Sequence, residues 1–311
     1  MKRITLPGTD LSVPTVIAGM MRIDKLSGDA DVRALVDAAI GAGIDFFDHA
    51  NVYGPEDHDC ESIFARALKW SPSEREQYIL QTKAGIVRSG PYFDFSRDTL
   101  VAHVEGSLKA LATDYIDILL LHRPDALVEP EEVARAFDEL HAAGKVRHFG
   151  VSNHTPGQIE LLRKYVKQPL VANQVQLAIT HAPLVAQGVA MNMAALEQSV
   201  SRDLGLVDYC RLNDIALQAW SPFQVGFFTG SFIGDPEYPE LNASLERIGG
   251  KYGVGPNAIA TAWILRHPAQ WQVVLGTTNP ARVADSAAGA DIELTRAEWY
   301  ELYRGAGYLV P

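Results

Sequence analysis

The sequence predicts an α/β chain folded as a (β/α)8 TIM barrel, with an N-terminal β-hairpin and extended loops on the face formed by the strands' C-terminal ends. Three observations carry this. Short apolar runs recur eight times, helical patterns separate them, and no GxGxxG follows the first run. Runs that lack alternation suit strands buried on both faces of a parallel sheet, which helices must then cover. Without the glycine fingerprint the open dinucleotide-binding sheet loses its signature, and the closed barrel is left.

The elements follow in order. Ile4–Leu6, the turn residues Gly8-Thr9-Asp10 and Leu11–Val13 read as a hairpin placed to plug the barrel's N-terminal end. The strand candidates are Val16–Gly19, Phe46–Asp48, Tyr78–Lys83, Ile116–Leu121, His148–Ser152, Ala172–Gln176, Ile215–Trp220 and Val273–Gly276. Between them Asp31–Ala42 and Pro130–Ala142 are amphipathic, and Gly43 and Gly144 stop helical patterns. Ser96, Thr155 and Asn279 stand where caps belong, with Pro156 and Pro280 in first turns. The stretch Ala178–Leu206, with Met191, Asn192, Met193 and Gly205, is longer than a usual strand-to-helix connection and is expected to flank the mouth of the barrel. No repeat or linker divides the chain, so residues 1–311 are expected to form one domain.

Composition narrows the function. Lys and Arg number 27 against 38 Asp and Glu, a net charge of −11, which argues against a nucleic-acid surface. No apolar run approaches the roughly 20 residues of a membrane span, and Met1–Val13 lacks the apolar core of a signal peptide. Cys60 and Cys210 form no CxxC, which suits a reducing cytoplasm, and the nine histidines show neither HxH nor HExxH, so no metal site is expected. No residue pattern reports the oligomeric state.

Polar residues that end the apolar runs are the candidates for chemistry, because barrel enzymes build their sites at strand C-termini. They are Asp48-His49 with Tyr53 just beyond, Lys83, His122-Arg123-Pro124-Asp125, Ser152-Asn153 and Gln174. A cation beside a phenol lowers its pKa, and a buried lysine keeps its proton only with a carboxylate partner. Asp48, Lys83 and Tyr53 therefore read as a tuned proton donor, with His122 orienting a substrate oxygen. The plainer readings are a strand-end ion pair for Asp48 and Lys83, a loop cap for Tyr53 and a core position for His49. Trp220-Ser221-Pro222 is either core plus turn or an indole face for a flat ring. Gly276-Thr277-Thr278, followed by Asn279, Pro280 and Arg282, suits a phosphate: a small-residue turn into a helix N-terminus offers free backbone amides and hydroxyls, with Arg282 placed to add a forked cation.

Together these residues resemble the aldo-keto reductase family over nearly the whole chain. Phe47-Asp48-His49-Ala50-Asn51-Val52-Tyr53-Gly54 is similar to that family's second-strand signature, and the intervals 83 − 53 = 30 and 122 − 83 = 39 are family-like. Gly144-Lys145-Val146-Arg147 with Gly150-Val151-Ser152-Asn153 resembles a second signature. Leu121–Asp125 and Leu217–Phe223 look most like bacterial oxidoreductase members without an assigned substrate. The resemblance implies reduction of an aldehyde or ketone, a small-molecule carbonyl substrate, by NADP(H), with NAD(H) as the alternative. It makes Tyr53 the general acid, Lys83 and Asp48 its tuning pair and His122 the orienting group. Gly19 and Met20 would meet the nicotinamide ribose, Ser152, Asn153 and Gln174 the carboxamide, and Trp220, with Ser221 and Pro222 beside it, the ring. Gly276, Thr277, Thr278, Arg282, Asp285 and Ser286 would meet the phosphate end, and Met21 and Phe223 would wall the substrate pocket with Tyr53 and His122.

Two departures bear on the cofactor: many relatives carry Lys where Gly276 stands, and Glu-Asn where Asp285-Ser286 stands. The competing readings are a regulatory subunit of the same fold that binds cofactor and turns over little, and a metal-dependent barrel hydrolase.

Overall fold

The computed structural model describes residues 1–227 and 229–311. Eight parallel strands close into a barrel in chain order: Val16–Gly19, Phe46–Asp48, Ile79–Ala84, Ile116–Leu121, Val146–Ser152, Leu170–Gln176, Ala216–Trp220 and Trp271–Leu275, the last pairing back onto the first. Three of these coincide with the sequence expectation at both ends, and the others shift by one or two residues. The fifth and eighth begin earlier because polar residues, Arg147 and Gln272, sit in their first turns of pleat and hide the apolar pattern.

Inward-facing residues alternate along each strand and stack in layers. Ile79, Gln81 and Lys83 climb the third strand from floor to mouth, while Leu80 joins the outer core between strands and helices. The floor is apolar. Leu6 and Val13, both fully buried, pack there against Phe46, Ile118, Leu120 and Val171. Val13 sits in the second strand of the hairpin Arg3–Thr5 and Ser12–Pro14 and Leu6 just after the first, so the hairpin closes the N-terminal end as expected. Above the floor lies a polar layer. Gln218 Oε1 accepts from Gln81 at 2.9 Å and Gln174 at 3.0 Å, its Nε2 donates to Gln272 at 3.2 Å, and Gln272 donates to the Pro14 carbonyl at 2.7 Å.

Helices Asp29–Gly41 and Pro130–Ala142 occupy the expected segments, and Ser96, Thr155 and Asn279 cap their helices with side-chain oxygens. The loop after the third strand folds as a second hairpin, Ile86–Val87 with Tyr92–Phe93. Ala178–Leu206 differs from its expectation. Its start does touch the mouth, where Thr180 Oγ1 donates to the Gln224 carbonyl at 3.2 Å. The rest, with a short helix at Pro183–Val189, runs down the outside of the barrel against the C-terminal helix Arg296–Gly305, tied by Gln198 to Tyr303 Oη and the Leu309 carbonyl. A groove of about 860 Å³ lies along that outer seam, lined among others by Leu184, Arg266 and Trp299, away from the strand-end polar residues. Among the described residues no helix is long and apolar enough to cross a membrane.

Candidate active site

Asp48 ends the second strand in register with Gln81 of the third, and Lys83 lies two residues further along that strand on the same face, so the barrel's own register brings them together. Lys83 Nζ lies 2.7 and 2.6 Å from the two Asp48 oxygens, with both side chains almost wholly buried. It also donates to the His49 carbonyl at 2.8 Å and to Tyr53 Oη at 3.1 Å. Burial alone would strip the ammonium of its proton. The Asp48 carboxylate, with Tyr53 beside it, outweighs that, and the Lys83 pKa ends above its ordinary value. Asp48 Oδ1 also accepts from Gln81 at 2.6 Å and Gln174 at 3.1 Å, which seats the carboxylate on the glutamine layer.

Tyr53 corrects one expectation. Lys83 does pull its pKa down, but burial pushes it up by more, and the phenol stays above its ordinary value. It is a retained proton, not a loosened one. Its ring stands edge-on to His122, with centroids 5.9 Å apart at 82°. Burial, with Lys83 and Arg123 nearby, holds His122 well below its ordinary pKa, so the imidazole is neutral. Its Nδ1 is buried without a hydrogen-bond partner.

His49 contributes through its carbonyl. Its ring is fully buried 4.6 Å from Phe64, and burial lowers its pKa to about 4.

The loop carrying Tyr53 is held by a residue the sequence reading passed over. Arg88, from the second hairpin, donates to the carbonyls of Val52, Gly54 and Pro55, the Gly54 bond measuring 2.7 Å, and pairs with Asp57 at 3.3 Å. Gly54 takes φ +100°, and a Cβ there would sit 2.6 Å from Asp59 Cβ, so this tight loop requires glycine. Below it the buried Glu61 accepts from His58 and Thr82, both at 2.6 Å; burial raises its pKa, but these bonds hold it below the ordinary carboxylate value.

The other expected site residues divide. Asn153, at φ +60°, donates to Ser152 Oγ at 2.8 Å and accepts from Trp220 Nε1 at 3.0 Å, so strands five and seven present these three side chains together. Ser152 Oγ donates to the Gln174 carbonyl at 2.9 Å, while the Gln174 side-chain amide is engaged by Asp48 and Gln218. Ser221 has φ +52°, Pro222 is buried and Phe223 half-buried, in the turn that follows. Gly19 permits close approach of the first and eighth strands, since a Cβ there would lie 2.5 Å from the Leu275 carbonyl oxygen. Met20 is buried with its amide on the Asp48 carbonyl, and Met21 is half-buried with its carbonyl accepting from Cys60 Sγ.

At the end of the eighth strand the helix amides are not free as the sequence suggests, because Asn279 Oδ1 accepts from Ala281 and Arg282. Side chains remain for an anion: Thr277, Thr278 and the exposed Arg282. Arg22 joins them, donating to the Gly276 carbonyl at 3.0 Å, and a Cβ on Gly276 would meet its guanidinium at 3.2 Å. Asp285 and Ser286 turn elsewhere. Asp285 accepts from the Gly255 amide at 3.0 Å, and the buried Ser286 bonds back to the Arg282 carbonyl. This donor set of two guanidinium groups and two hydroxyls fits a phosphate-bearing cofactor.

Residues 15–304 match the Aldo/keto reductase family. The chain is 35% identical over 314 residues to a 6-dehydroglucose reductase of Agrobacterium fabrum, covering 97% of each. It is 34% identical to the uncharacterized oxidoreductase YcsN of Bacillus subtilis, covering 100% of each. In structure it resembles the thermostable aldo-keto reductase Tm1743 solved with the inhibitor epalrestat, with a TM-score of 0.77 at 24% identity over 98% of this chain and 100% of that one.

Proposed function

The chain belongs to the aldo/keto reductase family, an oxidoreductase family of carbonyl compounds, and from that premise we propose that it reduces an aldehyde or ketone with NADPH, Tyr53 giving the proton. The supporting observation is the Lys83 ammonium, held by both Asp48 oxygens and lying 3.1 Å from Tyr53 Oη. A reduced nicotinamide supplies the hydride when bound.

Tyr53 keeps its proton until a carbonyl oxygen gathers charge beside it, then transfers it from Oη. The phenolate left behind faces a cation at 3.1 Å, an attraction of roughly 5 kcal/mol at an effective dielectric near 20. Asp48 keeps that cation charged before and after transfer. His122, neutral, orients the carbonyl oxygen and does not compete as an acid. Ser152 and Asn153 would hold the carboxamide and Trp220 the ring, with Gly19 and Met20 along the ribose and Met21 and Phe223 along the substrate.

Arg22, Thr277, Thr278 and Arg282 would bind phosphate, and the pairing of two arginines there favours NADPH over NADH. Two buried free cysteines suit work in the cytoplasm. The intact tetrad of Asp48, Tyr53, Lys83 and His122 lends the regulatory-subunit reading no support.

The test is fluorescence titration with NADPH and NADH, followed by nucleotide oxidation against aldehydes, ketones and dicarbonyls. Turnover with NADPH is expected; binding without turnover would overturn the reading. Arg282→Ala should weaken NADPH selectively, and equal loss for both nucleotides would remove Arg282 from 2′-phosphate recognition.

A further inference from the structure

Arg123 follows His122 at the end of the fourth barrel strand, half-buried at the mouth, and the tetrad does not use it. Its guanidinium lies 5.6 Å from the centre of the Trp220 ring. Among the described residues it makes no ion pair and no hydrogen bond. The fold treats its structural arginine differently: Arg75, buried in the wall, donates to Asp117, Thr113 Oγ1 and the carbonyls of Tyr78 and Tyr115. A guanidinium carries five donors and cannot shed its proton, so one that is half-buried and unmatched calls for an acceptor from outside the chain.

The neighbouring carboxylates are committed. Asp125, two residues on, accepts from the amides of Phe95 at 3.0 Å and Leu127 at 2.8 Å. Asp48 is neutralised by Lys83. Arg123 therefore stands near the proton donor and the orienting imidazole as a cation with no salt-bridge partner among the described residues. It lies close enough that its charge helps to hold the His122 pKa down, while burial depresses its own pKa.

We propose that Arg123 selects carbonyl substrates that carry an oxyanion group, a carboxylate or a phosphate, a short distance from the reacting carbon. A planar fork over an indole face reads two oxygens of such a group at once, while the carbonyl oxygen sits between Tyr53 and His122. The inference rests on the carbonyl-reductase reading and gives it a substrate class.

The test compares matched pairs: succinic semialdehyde against butanal for the carboxylate, glycolaldehyde phosphate against glycolaldehyde for the phosphate. The quantity read is the kcat/KM ratio of charged to neutral member within each protein, so a general loss of activity cancels. The wild-type ratio should be tenfold or more for at least one pair, and that pair identifies the anion. It should fall towards one in Arg123→Met and be partly kept in Arg123→Lys. Equilibrium binding of the non-reacting succinate or inorganic phosphate should weaken in parallel. Wild-type ratios near one for both pairs, with turnover that depends on Tyr53, would overturn the role of Arg123 and leave the reductase standing. No turnover of any of the four compounds, with nucleotide bound, would overturn both.

Discussion

Asp48→Asn separates the two functions of the buried carboxylate. In the native protein Oδ1 receives donors from Lys83, Gln81 and Gln174, and Oδ2 receives Lys83 alone at 2.6 Å. An asparagine offers one acceptor in place of two. If its oxygen stays on the glutamines, its NH2 points at the ammonium; if it turns round, it meets two amides instead. Removing one partner of a buried pair costs about 3–5 kcal/mol, because the remaining charge is uncompensated. At about 2 °C per kcal/mol for a chain of this size, the melting temperature should fall by about 6–10 °C. Lys83, with burial no longer opposed by the carboxylate, should release its proton at lower pH than in the native protein. Loss of that cation should cost roughly a hundredfold or more in kcat, the scale of one acid-base contribution. The assay is a kcat pH profile beside a thermal melt. The variant should recover rate as pH falls and Lys83 recharges, where the native protein shows no such limb. An unchanged melt with an unchanged profile would refute the argument that Asp48 maintains the Lys83 charge.

Arg88→Met should lower kcat roughly ten- to a hundredfold by loosening the loop that carries Tyr53, with nucleotide affinity little altered and partial recovery in added guanidinium salt; an equal fall in both parameters would make the residue merely structural. Acid should destabilise the fold through His49 and His154, both buried with pKa values lowered to about 4. A histidine whose folded pKa is depressed contributes stability above the unfolded value of 6.5 that is lost as pH falls towards 4, at about 1.4 kcal/mol per pH unit each. Urea titrations at steps through that window check it, and His49→Gln should flatten the slope.

The barrel was legible because strands buried on both faces must be apolar throughout, and a charge ending such a strand needs a partner: Asp48 and Lys83 announce each other. Capping was legible for the same kind of local reason at Ser96, Thr155 and Asn279. Features set by long-range packing were not. Gln81, Gln218 and Gln272 interrupt their runs with nothing in the sequence to say that they face one another across the barrel. Asp285 follows the phosphate turn in the helix Pro280–Ala288, yet the Gly255 amide takes it. Arg88 and Arg22 act from loops whose paths depend on tertiary contacts. The direction of the Tyr53 shift follows from a balance between burial and charge that residue identity alone does not set.

The central claim is that Tyr53 is the proton donor, and Tyr53→Phe tests it most directly, since the substitution removes one oxygen and leaves the ring beside His122. NADPH titration of the variant should give an affinity close to the wild type, while NADPH oxidation with an aldehyde falls by about a thousandfold, within the range of a lost general acid. Turnover within about tenfold of the wild type would contradict the account, because removing a general acid costs at least about a hundredfold.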